Sequence, residues 1–249
     1  MIRQLDFKKR ALLLARLANT AYRDVNWAIR RGHELGFSSI KFYDRDGAQA
    51  YRFDSEDDIV IACRGTEPTE WNDISADLKA LLVAARLAGR VHVGFRSESD
   101  ELYSLICDDL RGNVKNLWFC GHSLGAAMAT IMASRCELEK DMPAVSALFT
   151  YGSPRVGNGR FVRHLQVEHH RFVRNNDIVT RVPLWTMGYR HDGIEHYIDS
   201  DDKVRQLSRW DQAKDRLRGL YKGALEGDVD AFSDHSMIGY VKALEGWAE

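Results

Sequence analysis

The chain has 249 residues, 45% hydrophobic and 29% charged, enough to bury about three quarters of its unfolded surface in one core, and no apolar run is long enough to cross a bilayer. Its 35 Lys and Arg against 36 Asp and Glu give a formal net charge of -1, which offers a nucleic acid no electrostatic reason to bind. The four cysteines, Cys63, Cys107, Cys120 and Cys136, show neither close pairing nor metal-type spacing and lie in apolar stretches, so they read as buried free thiols of a cytoplasmic protein.

The first 31 residues have charge on both sides of a short apolar patch and no small-residue cleavage site; they predict an amphipathic first helix rather than a secretory signal. "SSIKFYD" and "AQAYRFD", joined by "RDG", predict a hairpin, because Asp-Gly supplies the positive φ that tight turns require. "DIVIACRG" is a continuous apolar run ending at a break, as expected of a strand buried on both faces, and it places Thr66 just past a strand end. Residues 66–90 read as weakly helical. "VHVGF" then leads into the helical "SESDELYSLICDDLRG", with Ser97 as its cap.

"NLWFCG" is a second buried strand and "SLGAAMATIMASRCELEK" an alanine-rich helix. "AVSALFTYGSP" reads as a third strand, "NGRFVRHLQVEH" as a short helix and "HRFVRNND" as a fourth strand. From Ser200 the chain becomes a charged helical stretch, a Gly/Asp loop and a last helix. Strands alternating with helices predict an α/β fold with a mostly parallel sheet. No linker or repeat divides the chain, so residues 1–249 read as one domain with a helical excursion over about 200–230.

Gly121-His122-Ser123-Leu124-Gly125 matches G-x-S-x-G and lies between an apolar strand and a helix, the setting in which a nucleophile elbow lifts its serine above the sheet. The helix's amino end adds N–H groups and a positive dipole beside a developing oxyanion. A serine hydroxyl needs a histidine base and a carboxylate to orient it, in the order serine, acid, histidine. Of His164, His169, His170, His191, His196 and His235, the last follows a late loop and opens the last helix, where it can return over the elbow. Asp177, at the end of "HRFVRNND", points to the same carboxyl edge of the sheet as Ser123. Asp192, Asp199, Asp201 and Asp202 compete with it from segments that read as solvated loops.

With "IVIACRGTEPTEWNDISADL", "VHVGF", "GHSLGAAMA", "YGSPRVGN", "RNNDIVTRVP" and "DHSMIGYV" in this order, the sequence resembles the class 3 (fungal-type, triacylglycerol) lipases. The resemblance implies an α/β-hydrolase fold with helices on both faces of the sheet, and Ser123, Asp177 and His235 as nucleophile, acid and base. It further implies that the N–H groups of Thr66 and Leu124 form the oxyanion hole, that Asp77 orients the Thr66 hydroxyl, and that about 67–78 form a lid in which Trp71 is an anchor. Asp77 reads equally as a helix-surface carboxylate and Trp71 equally as packing. The implied partner is a lipid or ester substrate at a lipid-water interface, with no cofactor. The polar lid, with Glu67, Glu70, Asn72, Asp73 and Asp77, does not imply strong activation at an oil interface. His92, Pro154 and Arg155 read as structural.

"HDGIEH" groups His191, Glu195 and His196, but not at the one-turn spacing that puts two histidines on one helix face, so no metal is expected. Two functional classes follow. The first is a serine hydrolase of lipid esters, triacylglycerol lipase-like, with a phospholipase A1 or a short-chain carboxylesterase as alternatives. The second is a non-catalytic lipid-binding protein of the same fold, whose mark is a missing triad member; none is missing.

Overall fold

The computed structural model describes residues 1–65, 81–226 and 233–249. Its first helix, α1 (Phe7–Thr20), begins where the Asp6 carboxylate accepts the N–H of Lys9, satisfying an amide that the helix itself cannot. Asp24 does the same for α2 (Val25–Glu34) through Trp27. The predicted hairpin forms from β1 (Ser39–Arg45) and β2 (Ala48–Asp54). Asp46 and Gly47 both take positive φ, 49° and 88°, as the tight turn demands.

The remaining strands of the main sheet are β3 (Asp58–Cys63), β6 (Asn116–His122), β7 (Val145–Tyr151), β9 (His169–Arg174), β11 (Ile194–Ile198) and β12 (Val204–Arg205). Their order is β1-β2-β3-β6-β7-β9-β11-β12, and the five from β3 to β11 run parallel. A second, antiparallel sheet joins β4 (Leu82–Ala84), β5 (Arg90–His92), β8 (Gly157–Asn158) and β10 (Tyr189–Arg190) in the order β10-β8-β5-β4.

Strand periodicity decides what each face packs against. Val60, Ala62, Trp118, Cys120, Phe149 and Tyr151 face α1 and the last helix, α7 (Met237–Ala248). Ile59, Ile61, Cys63, Leu117, Phe119 and Leu148 face α3 (Val93–Leu110) and α4 (Leu124–Cys136). Each large apolar side chain so buried contributes about 1.5–3 kcal/mol. Helices α5 (Gly159–His164) and α6 (Arg209–Glu226) complete the chain.

Several expectations need correction. Within the stretch read as weakly helical, Leu82–Ala84 is a strand. Helix α3 starts at Val93, capped by the His92 imidazole, which accepts from the N–H groups of Gly94 and Phe95; Ser97 lies inside the helix. Between Asp192 and Asp199, both read as lying in solvated loops, residues 194–198 form β11, paired in parallel with β9. Asp199 is buried and accepts from Lys203 N–H and Arg205 instead of lying in a solvated loop. All four cysteines are buried and free.

Candidate active site

The parallel strands end along one edge, the place where open α/β sheets gather their functional groups. Strand β6 ends in the elbow. Ser123 adopts φ 58° and ψ -128°, a conformation rare for a residue with a Cβ, and the turn is held by the Ser123 N–H donating to the Tyr151 carbonyl at 3.1 Å. Two glycines make the turn possible. A Cβ on Gly121 would lie 2.4 Å from the Gly125 carbonyl oxygen, and one on Gly125 would lie 2.2 Å from that of Cys63. The Ser123 hydroxyl does not cap the helix it opens. Leu124 is the first helical residue, so its N–H has no acceptor within the helix.

Beyond β9, Asp177 is fully buried. Both its oxygens lie 2.9 Å from Nδ1 of His235, which is also fully buried. A carboxylate only accepts, so Nδ1 carries the proton and Nε2 is the basic nitrogen of the neutral ring. The Val179 N–H donates to Oδ1 at 2.9 Å and the Tyr240 hydroxyl to Oδ2 at 2.6 Å. Ser123 and His235 both lie against the end of β7: the Ser123 N–H bonds Tyr151, and a Cβ on the next residue, Gly152, would lie 3.0 Å from the His235 ring.

His122 ties His235 to the elbow. Its Nε2 lies 2.8 Å from the His235 carbonyl oxygen and its Nδ1 2.7 Å from the Tyr22 hydroxyl. The carbonyl must accept, so Nε2–H donates there and the Tyr22 hydroxyl donates to Nδ1. Burial, reinforced by His235, lowers the His122 pKa well below its ordinary value, which keeps this tautomer neutral. Tyr22, His122, Gly152 and Tyr240 carry no sequence signal of these contacts, because the side chains they meet are distant in the chain.

The other candidates are engaged elsewhere. Asp192 holds His169 Nδ1 at 2.9 Å, Asp202 holds Arg174 and Asp201 holds Arg218. His164 bonds within its own helix, His191 bonds the Thr180 carbonyl, and His170 and His196 bond each other at 3.1 Å. Glu195 pairs with Arg171, so "HDGIEH" disperses to separate partners. Thr66, Trp71 and Asp77 lie outside the described residues.

The model of the family described as lipase (class 3) matches residues 60–187. Toxin TseL of Vibrio cholerae is 40% identical over 194 residues, covering 59% of this chain and 30% of that protein. Secreted mono- and diacylglycerol lipase A of Penicillium camembertii is 43% identical over 86 residues, covering 34% and 28%. The chain thus spans less than a third of the length of either relative. Among solved structures, a lipase from Rhizopus microsporus var. chinensis superposes with a TM-score of 0.65 at 23% identity, covering 77% of this chain and 74% of that one. That likeness establishes the α/β-hydrolase fold. The expected cytoplasmic location is overturned: the Penicillium relative and one from Fusarium solani are named as secreted. Buried free thiols, which pack as small apolar groups, carry no information about compartment.

Proposed function

The chain belongs to the class 3 lipase family, and from that premise we propose that it hydrolyses carboxylic esters of lipids through Ser123, His235 and Asp177. The observation that carries the reading is the Asp177–His235 contact at 2.9 Å, buried beside an elbow serine. Ser123 Oγ attacks the ester carbonyl while His235 Nε2 takes its proton, and Asp177 holds the ring and stabilises the imidazolium that forms. The tetrahedral oxyanion is held by the N–H groups of Leu124 and Thr66, with Asp77 orienting the Thr66 hydroxyl toward it. His235 returns the proton to the departing alcohol, and water activated by the same nitrogen then frees the acid from the acyl-enzyme. The shared sheet supports treating residues 1–249 as one domain, with a lid over about 67–78, anchored by Trp71, and a helical excursion over about 200–230.

The test is turnover of p-nitrophenyl esters from acetate to palmitate by the wild type and Ser123→Ala. We expect a loss of at least about a thousandfold in the variant, with its fold intact; undiminished turnover in Ser123→Ala overturns the proposal. A long-chain optimum supports the lipase reading, and a short-chain optimum replaces it with an esterase.

A further inference from the structure

Three segments build the small sheet and its surroundings: 81–96, 152–167 and 178–191. Together they hold eight arginines, at 86, 90, 96, 155, 160, 163, 181 and 190, and no Asp or Glu, in a chain whose 35 bases and 36 acids nearly balance as a whole. Arg86, Arg90, Arg160, Arg163 and Arg190 are exposed, and none of these five forms an ion pair among the described residues. Arg90, Arg160, Arg163 and Arg190 are neighbours, whereas Arg86 lies apart over the Tyr103 ring in a pocket shared with Asp100, Asp108 and Glu139. A Cβ on Gly89 would meet the Arg160 backbone at 2.9 Å, and one on Gly159 would meet Arg163 Nη1 at 3.2 Å and Arg190 Cγ at 3.7 Å.

Arg190 also reaches the apolar feature of this face. Its Nη1 donates to the carbonyls of Trp185 at 2.8 Å and Tyr189 at 2.6 Å. Arg155 Nη1 bonds the carbonyls of Arg181 and Pro183, the latter at 2.9 Å. Between these two clamps the turn at 184–188 projects Leu184, Trp185 and Met187, which are 53%, 62% and 49% exposed. A Cβ on Gly188 would lie 3.9 Å from Leu82 Cδ1. The turn lies in the connection between β9 and β10, which leaves the main sheet at the edge where Asp177 stands.

We propose that this face is a fixed docking surface for a bilayer containing anionic phospholipid, with Leu184, Trp185 and Met187 seated in the headgroup-acyl boundary and the arginines on the phosphates around them. The purpose of the surface rests on the lipid-ester reading above, since it delivers the lipid beside the triad. Charge and chemistry both select this occupant. An unpaired arginine cluster is drawn to the negative surface potential of an anionic leaflet, and an exposed Trp with Leu and Met suits the interfacial zone better than water. An acidic protein partner would match the charge but would leave the projecting apolar turn without a purpose.

The experiment uses the full chain carrying Ser123→Ala, so that vesicles are not consumed and failure of the hydrolase reading leaves the binding result intact. Flotation is measured with vesicles of phosphatidylcholine alone and of phosphatidylcholine mixed with phosphatidylglycerol. The expected result is tighter binding to the mixed vesicles, weakened by salt. Adding Arg90→Gln, Arg160→Gln or Arg163→Gln should weaken it about fivefold each, and Trp185→Ser with Met187→Ser should weaken it at least about tenfold. These side chains are exposed, so an unchanged thermal transition checks the fold. Equal binding to both vesicle types, full binding by the Trp185/Met187 variant, or binding to polyglutamate with none to vesicles would each overturn the proposal.

Discussion

Tyr240 donates its hydroxyl to Oδ2 of Asp177 at 2.6 Å and accepts the Arg174 N–H at 2.9 Å, so the last helix holds the carboxylate that orients His235. Burial, and then the charge of Asp177, raise the Tyr240 pKa well above its ordinary value, which keeps it a donor. In Tyr240→Phe, Asp177 loses one of its donors and the half-buried Arg174 N–H loses its bond to the Tyr240 hydroxyl. The expected outcome is a fall in kcat of about tenfold on a dissolved ester with KM unchanged, and a stability loss of about 1–3 kcal/mol. Steady-state kinetics and denaturant unfolding check both; a kcat equal to wild type assigns Tyr240 to packing alone.

Gly152 has φ +57° and lies against the same pair. A Cβ there would lie 2.7 Å from Asp177 Oδ2 and 3.0 Å from the His235 ring. Gly152→Ala therefore strains the backbone and also displaces the base from the serine. Turnover is expected to drop about a hundredfold, with a stability cost of about 1–3 kcal/mol. Wild-type turnover in a folded Gly152→Ala protein would show that the carboxylate and imidazole tolerate displacement.

The fold and the elbow turn at Ser123 were legible in the sequence because their signals are local. An apolar run, a Gly-x-Ser-x-Gly turn and a helix-forming stretch follow one another within about 20 residues, and Asp177 lies just past β9, whose "HHRFVR" shows only Phe172 and Val173 as apolar residues. Strand β11 was not legible. Its five residues, "IEHYI", interrupt the apolar run with Glu195 and His196, and Arg171 and His170 on β9 are what make those two side chains admissible. Asp199 misled for a related reason, since its carboxylate is satisfied by Lys203 N–H and Arg205 across a tight connection, and a sequence of charges reads as solvated until its partners are known. The His92 cap escaped because an imidazole accepting two helix N–H groups has none of the Ser, Thr, Asp or Asn signature by which caps are recognised.

Acid should weaken this fold before its carboxylates are reached. Burial lowers the pKa of His92 and of His196 to about 4, and burial is also the first cause of the lowered values of His122, His169 and His191. In the unfolded chain each of these imidazoles titrates near its ordinary value of 6.5. Below that pH the unfolded state binds more protons than the folded state, so folding stability falls as pH falls. For His92 and His196 the loss accumulates between 6.5 and about 4 and is complete once the folded form is protonated. Unfolding by denaturant across this range should give a steadily falling free energy, and His196→Gln, which removes one of the groups, should make the fall shallower. A stability that stays level from 6.5 to about 4 would mean that these imidazoles are protonated in the native protein, and for His122 that would break the Tyr22 hydroxyl to Nδ1 hydrogen bond while leaving Nε2–H on the His235 carbonyl.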